Sequence, residues 1–205
     1  MKKSISYLTI LFVIALSTGT FAQGKQYEFA VGGGISVPLG PDEFKDFWNL
    51  GFNGNAGIGY FITPQLTIGG NFTFNRFSLD GDKMIEDLGG AGLGISVDGG
   101  AISAFEILGV GKYYFSPIGN VTNFYVLGGV GLGIVKVSEA TISAPGIPTE
   151  TVQSDSESKL LVAGGLGVTF PVGATTNIFV EGRFSLISTE GSNTTFLPVR
   201  AGIIF

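Results

Sequence analysis

The chain of 205 residues contains no cysteine, no histidine and one tryptophan, and only 13% of its positions are charged. Without histidine there is no His general base, no Ser–His or Cys–His nucleophile and no His metal ligand. Without cysteine there is no disulfide scaffold, thiolate zinc site or redox dithiol, and the redox compartment stays open. No apolar stretch reaches the ~20 residues of a membrane-spanning helix. With a net charge of −5, the chain lacks the basic footprint of a nucleic-acid binder. The phosphate-loop pattern GxxxxGK[ST] does not occur, and the glycine runs lie in strand-like segments. Asp80-Gly81-Asp82 lacks the spaced acids and closing glutamate of a calcium loop, so it reads as a solvated acidic loop. No cofactor, no metal site and no catalytic group is expected.

What is abundant is glycine (34), phenylalanine (18) and apolar side chains generally (44%), with a mean hydropathy of +0.43. That composition opposes disorder, which needs low hydrophobicity and high charge. The chain begins with basic Met1-Lys2-Lys3, continues with the apolar run Tyr7–Leu16, and offers small residues at Thr20 and Ala22. This is the layout of a cleaved export signal over residues 1–22, leaving one domain over 23–205.

Beyond the signal, apolar residues alternate with small or polar ones at period two, the signature of strands. Eight strands are expected: Tyr27–Val37, Phe52–Ile62, Leu66–Phe77, Ala104–Phe115, Asn123–Val137, Leu160–Val172, Asn177–Ile187 and Phe196–Phe205. Alternate residues give one uncharged face on each, running Tyr27 to Val37, Phe52 to Ile62, Leu66 to Phe74, Phe105 to Phe115, Phe124 to Ile134, Leu160 to Val172, Ile178 to Leu186 and Leu197 to Phe205. The opposite face carries Asn53, Asn55, Thr67, Asn71, Thr73, Asn75, many glycines and six charges: Glu28, Glu106, Lys112, Glu181, Arg183 and Arg200. Short breaks at 63–65, 116–122 (with Pro117 and Gly119) and 173–176 alternate with long ones at 38–51, 78–103, 138–159 and 188–195. The long breaks, Glu190 included, hold thirteen of the sixteen acidic residues.

A soluble sandwich or lipocalin-like ligand-binding barrel would turn the apolar face inward and cover its exterior with Lys and Glu. The second face here is too poor in charge for that. An all-β, eight-stranded antiparallel transmembrane barrel fits instead: it satisfies every backbone group without water and needs ~9–11 tilted residues per strand. Its apolar face would touch outer-membrane lipid and lipopolysaccharide. Tyr27, Phe29, Tyr60, Tyr113, Phe115, Phe124, Phe170 and Phe205 all fall near the short-turn end of that face and form an expected aromatic girdle. The six opposite-face charges would form a network inside the lumen, because buried charges must pair. Glu181 and Arg200 lie at similar heights on neighbouring strands and should pair, with Lys112 and Arg183 finding Glu28 or Glu106. In the first long loop, Phe44, Phe47 and Trp48 should pack on the rim, since exposed aromatics usually find a surface. Asp98-Gly99 suggests a hairpin in which 91–97 pairs with an outward extension of the fourth strand.

The alternating Gly–aromatic strands YEFAVGGGISVPLG and FYVLGGVGLGIVKV, the KYYF segment with its turn, and the closing strand FLPVRAGIIF resemble the small outer-membrane β-barrel proteins of Gram-negative bacteria, such as OmpX, the OmpA membrane domain and PorT-type barrels. The resemblance implies localisation in the outer membrane and recognition by the barrel-assembly machinery through Val199, Ala201, Ile203 and Phe205. The barrel enzymes of that neighbourhood use histidine, so it points to no enzyme. It leaves a structural or interaction role, in envelope stabilisation or adhesion to an extracellular partner through the long loops. A narrow pore or an accessory barrel of a transport or secretion system is the alternative.

Overall fold

The structure, a computed structural model, describes residues 26–87, 89–90, 92–117, 121–188 and 193–205, with the backbone alone at 147–150. The expected export signal, Gly119 of the second short turn and Glu190 of the last loop lie outside the described residues. Eight long strands close into one antiparallel barrel: β1 (Tyr27–Gly40), β2 (Gly51–Thr63), β3 (Leu66–Ser78), β5 (Ala101–Tyr114), β6 (Asn123–Val137), β9 (Asp155–Pro171), β10 (Asn177–Ser188) and β11 (Asn193–Ile204). Their order around the barrel is β1–β11–β10–β9–β6–β5–β3–β2. The seam between first and last strand is fully laddered, from Ala30↔Ile204 to Gly40↔Thr195. Among the described residues the barrel has no open edge, which is what a bilayer demands of β-structure. A tilted strand of twelve residues rises ~30 Å, enough to cross the hydrocarbon layer.

These are the eight strands read from the alternation, and seven of them differ at their ends. Most of the difference is at the long-loop end, where β1 continues past Val37, β5 begins before Ala104, and β9 begins at Asp155 rather than Leu160. The added residues are largely polar, such as Ser156, Glu157, Ser158 and Lys159. A ladder can outlast the apolar pattern because backbone pairing does not require a greasy side chain above the bilayer.

At the opposite end the turns are tight. Thr63 Oγ1 accepts from the amides of Gln65 (3.3 Å) and Leu66 (3.0 Å). The amide of Ser116 donates to Asn123 Oδ1 at 3.1 Å, and those of Val172 and Gly173 donate to the Thr176 carbonyl. Side-chain oxygens of Thr and Asn take up turn amides that the ladder leaves unpaired.

The long-loop end carries additional structure. Short helices α1 (Asp42–Phe47) and α2 (Gly81–Asp87) occupy the first two loops, and a three-stranded sheet forms from β4 (Ser96–Gly99), β7 (Ala140–Ala144) and β8 (Ile147–Val152). Here one expectation fails. The segment before Asp98-Gly99 does not extend the strand that follows it; β4 pairs with β7 of the next long loop, from Ser96↔Ser143 to Gly99↔Ala140. Gly99 and Gly100 both have positive φ, +82° and +72°, a conformation that glycine adopts without strain between β4 and β5. Pro145-Gly146, with Gly146 at φ +77°, joins β7 to β8 as the Pro–Gly pair of a type II turn would.

Side-chain direction follows the alternation. Val31, Ile58, Ile107, Val130, Leu166 and their neighbours along the uncharged face are exposed on the outside. The Asn, Thr, Gly and charged face is inside. The interior is layered. Nearest the long loops, Phe77, Ala104, Leu108, Leu161, Ala163, Ile187 and Phe196 form one buried apolar cluster with Phe44 of α1. Towards the short turns the interior is polar, with Tyr114 and Tyr125 beneath it. The expectation of an interior filled by polar and charged groups thus covers only the short-turn half. Leu108, Leu161 and Ile187 sit on the polar face of their strands, where glycines such as Gly133 leave room for them: a Cβ there would lie 2.7 Å from Ile187.

Candidate functional site

All six charged residues expected inside the barrel are there, each at most intermediate in exposure, and they meet as three ion pairs. Lys112 Nζ lies 2.7 Å from Glu28 Oε1. Arg183 Nη2 lies 2.6 Å from Glu106 Oε2. Arg200 pairs with Glu181, its register partner on the adjacent strand. Every carboxylate also holds a neutral donor. Tyr114 donates to Glu28 (2.7 Å), Asn75 to Glu106 (2.8 Å) and Tyr125 to Glu181 (2.8 Å).

The pairs are linked across the lumen. Arg183 reaches Asn71 Oδ1 at 3.0 Å and Thr73 Oγ1 at 2.8 Å; Arg200 reaches the same Thr73 oxygen at 3.1 Å. Ser36 donates to Asn75 at 2.7 Å and Asn53 to Ser36 at 3.1 Å. The network therefore ties β10 and β11 to β3 and β5, which are not neighbours in the sheet. Three anions face three cations, so the interior is neutral. A cavity of about 30 Å³ borders Asn55, Arg183 and Arg200, whose Oδ1 and two Nε atoms have no protein partner. That volume suits one or two water molecules.

Tyr114 and Tyr125 were not singled out from sequence. Both rings point inward and are buried, 5.2 Å apart between centroids, with Phe61 stacked on Tyr114. The signal was available: each lies on the face opposite the uncharged one. Gly59 and Gly167 provide the space, since a Cβ on Gly59 would meet Glu28 and one on Gly167 would meet the Tyr125 ring.

On the outside, the eight girdle residues Tyr27, Phe29, Tyr60, Tyr113, Phe115, Phe124, Phe170 and Phe205 stand exposed at the short-turn end, from 38% to 61%. Val199, Ala201, Ile203 and Phe205 face the same way on and just beyond β11. At the long-loop end Phe52, Phe74, Phe72 and Phe105 form a second aromatic row, with Phe74 and Phe105 centroids 5.0 Å apart. Two aromatic rows separated by an aliphatic band match the two interfaces of a bilayer.

The sequence matches the outer membrane protein beta-barrel domain over residues 8–205. The chain belongs to that family. It is an integral protein of the outer membrane. Its fold is similar to that of Ail, the attachment invasion locus protein of Yersinia pestis (17% identity, 88% of this chain and 100% of that chain, TM-score 0.50). It is similar also to Neisserial surface protein A (12%, 88% and 96%, 0.53) and to a major outer membrane protein of Thermus thermophilus (13%, 88% and 99%, 0.53). At these identities the likeness is one of fold. No curated protein matches the sequence.

In outer-membrane barrels generally, short turns face the periplasm and long loops face outward. Loop-one aromatics divide as they meet the outer mouth. Phe44 drops into the apolar cluster, edge-on to Phe77 at 4.9 Å, Trp48 packs half-buried against the same cluster as expected, and Phe47 stays half-exposed. A six-residue helix is too short to hold itself, and Phe44 is what anchors it. The Asp80 amide donates to the Phe47 carbonyl at 2.8 Å, so the second loop is tied to the first. Two wall residues were left off the outer face by the sequence reading, Arg76 and Lys136. They continue the alternation one step beyond Phe74 and Ile134 and are exposed.

Proposed function

We propose that this outer-membrane barrel is a non-enzymatic, closed scaffold that presents an ordered outer platform to an extracellular partner. One observation carries the reading: β4, β7 and β8 come from two different loops and pair into a sheet outside the barrel. Loops that only connect strands are short; these cross-pair and fix each other's shape. Residues around the platform and α1 are mostly acidic, including Asp42, Glu43, Asp82, Glu86, Asp98 and Glu139, against Lys45 and Lys83. That balance favours a partner with a basic or uncharged face. Ail has been crystallised with the heparin analogue sucrose octasulfate; the acidic mouth here opposes a polyanion of that kind.

The closed interior is supported by the stack of Phe44, Phe77 and Phe196 above three ion pairs. The absence of catalysis is supported by the engagement of every lumen carboxylate with a cation and a neutral donor. The outward set Val199, Ala201, Ile203 and Phe205 supports reading of the last strand by the barrel-assembly machinery. Replacing residues 139–153 with a short Gly-Ser turn tests the platform. Cells or matrix that bind the intact protein should no longer bind the shortened one, while its heat-dependent gel mobility is retained. Undiminished binding would defeat the reading. In planar bilayers the intact protein should give no steady opening.

A further inference from the structure

Among the described residues, the outward positions of the eight barrel strands carry only two charges, Arg76 on β3 and Lys136 on β6. Both are positive. Both lie in one register row: Arg76 is the register partner of Ser103 on β5, and Ser103 is the register partner of Lys136. With neighbouring strands ~4.8 Å apart, the two backbones are separated by ~10 Å across a single intervening strand. Arg76 Nη1 lies 3.5 Å from Ser103 Oγ, so the guanidinium leans over the middle of the row. Neither cation joins an ion pair among the described residues.

The next outward row towards the membrane centre is Phe74, Phe105 and Ile134, again in register. Phe52 packs edge-on to Phe74. Phe52 is itself the register partner of Arg76, so the cations stand at the upper margin of the outer aromatic row, where hydrocarbon gives way to headgroups. Anions would be tolerated there at least as well as cations. Yet no acidic residue stands on the wall, although acids crowd the loops directly above it.

We propose that Arg76 and Lys136 bind the phosphate of an anionic outer-leaflet lipid whose acyl chains run down the wall over Phe105 and Ile134. A guanidinium presents paired N–H donors to phosphate oxygens and an ammonium adds a point charge, while the buried Ser103 hydroxyl between them accepts from Arg76 and steadies it. The inference rests on lipid covering the wall. It is independent of any role for the loops, so loss of cell binding by the platform deletion leaves it untouched.

The test uses the mature protein refolded into phosphatidylcholine nanodiscs containing a minor fraction of diphosphoryl lipid A. Native mass spectrometry after gentle extraction reads retained lipid A. Retention by wild type, with a loss of roughly thirtyfold in R76Q/K136Q, is the expected result, since two basic groups at a membrane surface act together. K45Q/K83Q, which removes two cations from the loops instead, should retain lipid A as wild type does. Gel mobility before and after heating reports folding. A second measurement needs no variant: lipid A should shield Lys136 from amine acylation, and pure phosphatidylcholine should not. Equal retention by R76Q/K136Q, or equal retention of a dephosphorylated lipid by wild type, would overturn the site. Shielding of Lys136 by inorganic phosphate alone, as complete as that by lipid A, would overturn the lipid assignment.

Discussion

The pair Arg183–Glu106 crosses the lumen, and its worth can be measured. Glu106 is fully buried and Arg183 is 1% exposed, so solvent offers little screening to either. Glu106→Gln keeps the shape and the hydrogen bond from Asn75, but leaves the Arg183 cation without an anion. Removing one partner of a buried pair costs about 3–5 kcal/mol. Asn71 and Thr73 still accept from the guanidinium, which places the expected loss at the lower end, about 3 kcal/mol. With a urea slope of ~2 kcal/mol/M, the unfolding midpoint in lipid vesicles should fall by ~1.5 M. Arg183→Met should cost a similar amount by leaving Glu106 unpaired. The double variant E106Q/R183M removes both charges and should lose far less than the ~6 kcal/mol sum of the singles, since replacing a whole buried pair is often close to neutral. Emission from Trp48, the chain's single tryptophan, and heat-dependent gel mobility should give coincident transitions. A loss below ~1 kcal/mol in E106Q, or a double variant as unstable as the summed singles, would refute the account of a lumen clamped by charge.

Tyr125→Phe should cost ~1.5–2 kcal/mol, because it removes a hydrogen bond to the charged Glu181. Tyr113→Phe, on the lipid-facing wall, should stay within ~0.5 kcal/mol; equal effects in the same vesicle unfolding assay would contradict the inward placement of Tyr125. Phe44→Ala should release α1 from the apolar cluster, shifting Trp48 emission to longer wavelength and destabilising by ~3 kcal/mol. An unchanged emission spectrum would show that Phe44 does not anchor the cap.

The barrel itself was legible because its cause is local. Strand geometry sends successive side chains to opposite faces, and a bilayer accepts only an uncharged face, so the alternation names both the strands and the solvent outside them. Loop lengths marked the two ends of the barrel: the short turns at 63–65 and 173–176 carry no acidic residue, and the long loops carry most of them. The adjacency of Glu181 and Arg200 is legible too, since counting up from the short-turn end puts them at matching steps on neighbouring strands. Arg76 and Lys136 obey the same alternation and were missed only because the apolar pattern ends one step below them.

What tertiary structure alone decided are contacts between segments distant in sequence. Lys112 takes Glu28 and Arg183 takes Glu106 across the lumen, a choice set by the tilt and stagger of a closed barrel and not by neighbouring register. Phe44 enters the mouth, and β4 pairs with β7, because closure brings the loop roots together around one rim. Residue order determined which side chains meet lipid and which are turned from it; only closing the ring determined which of the inward groups would meet each other.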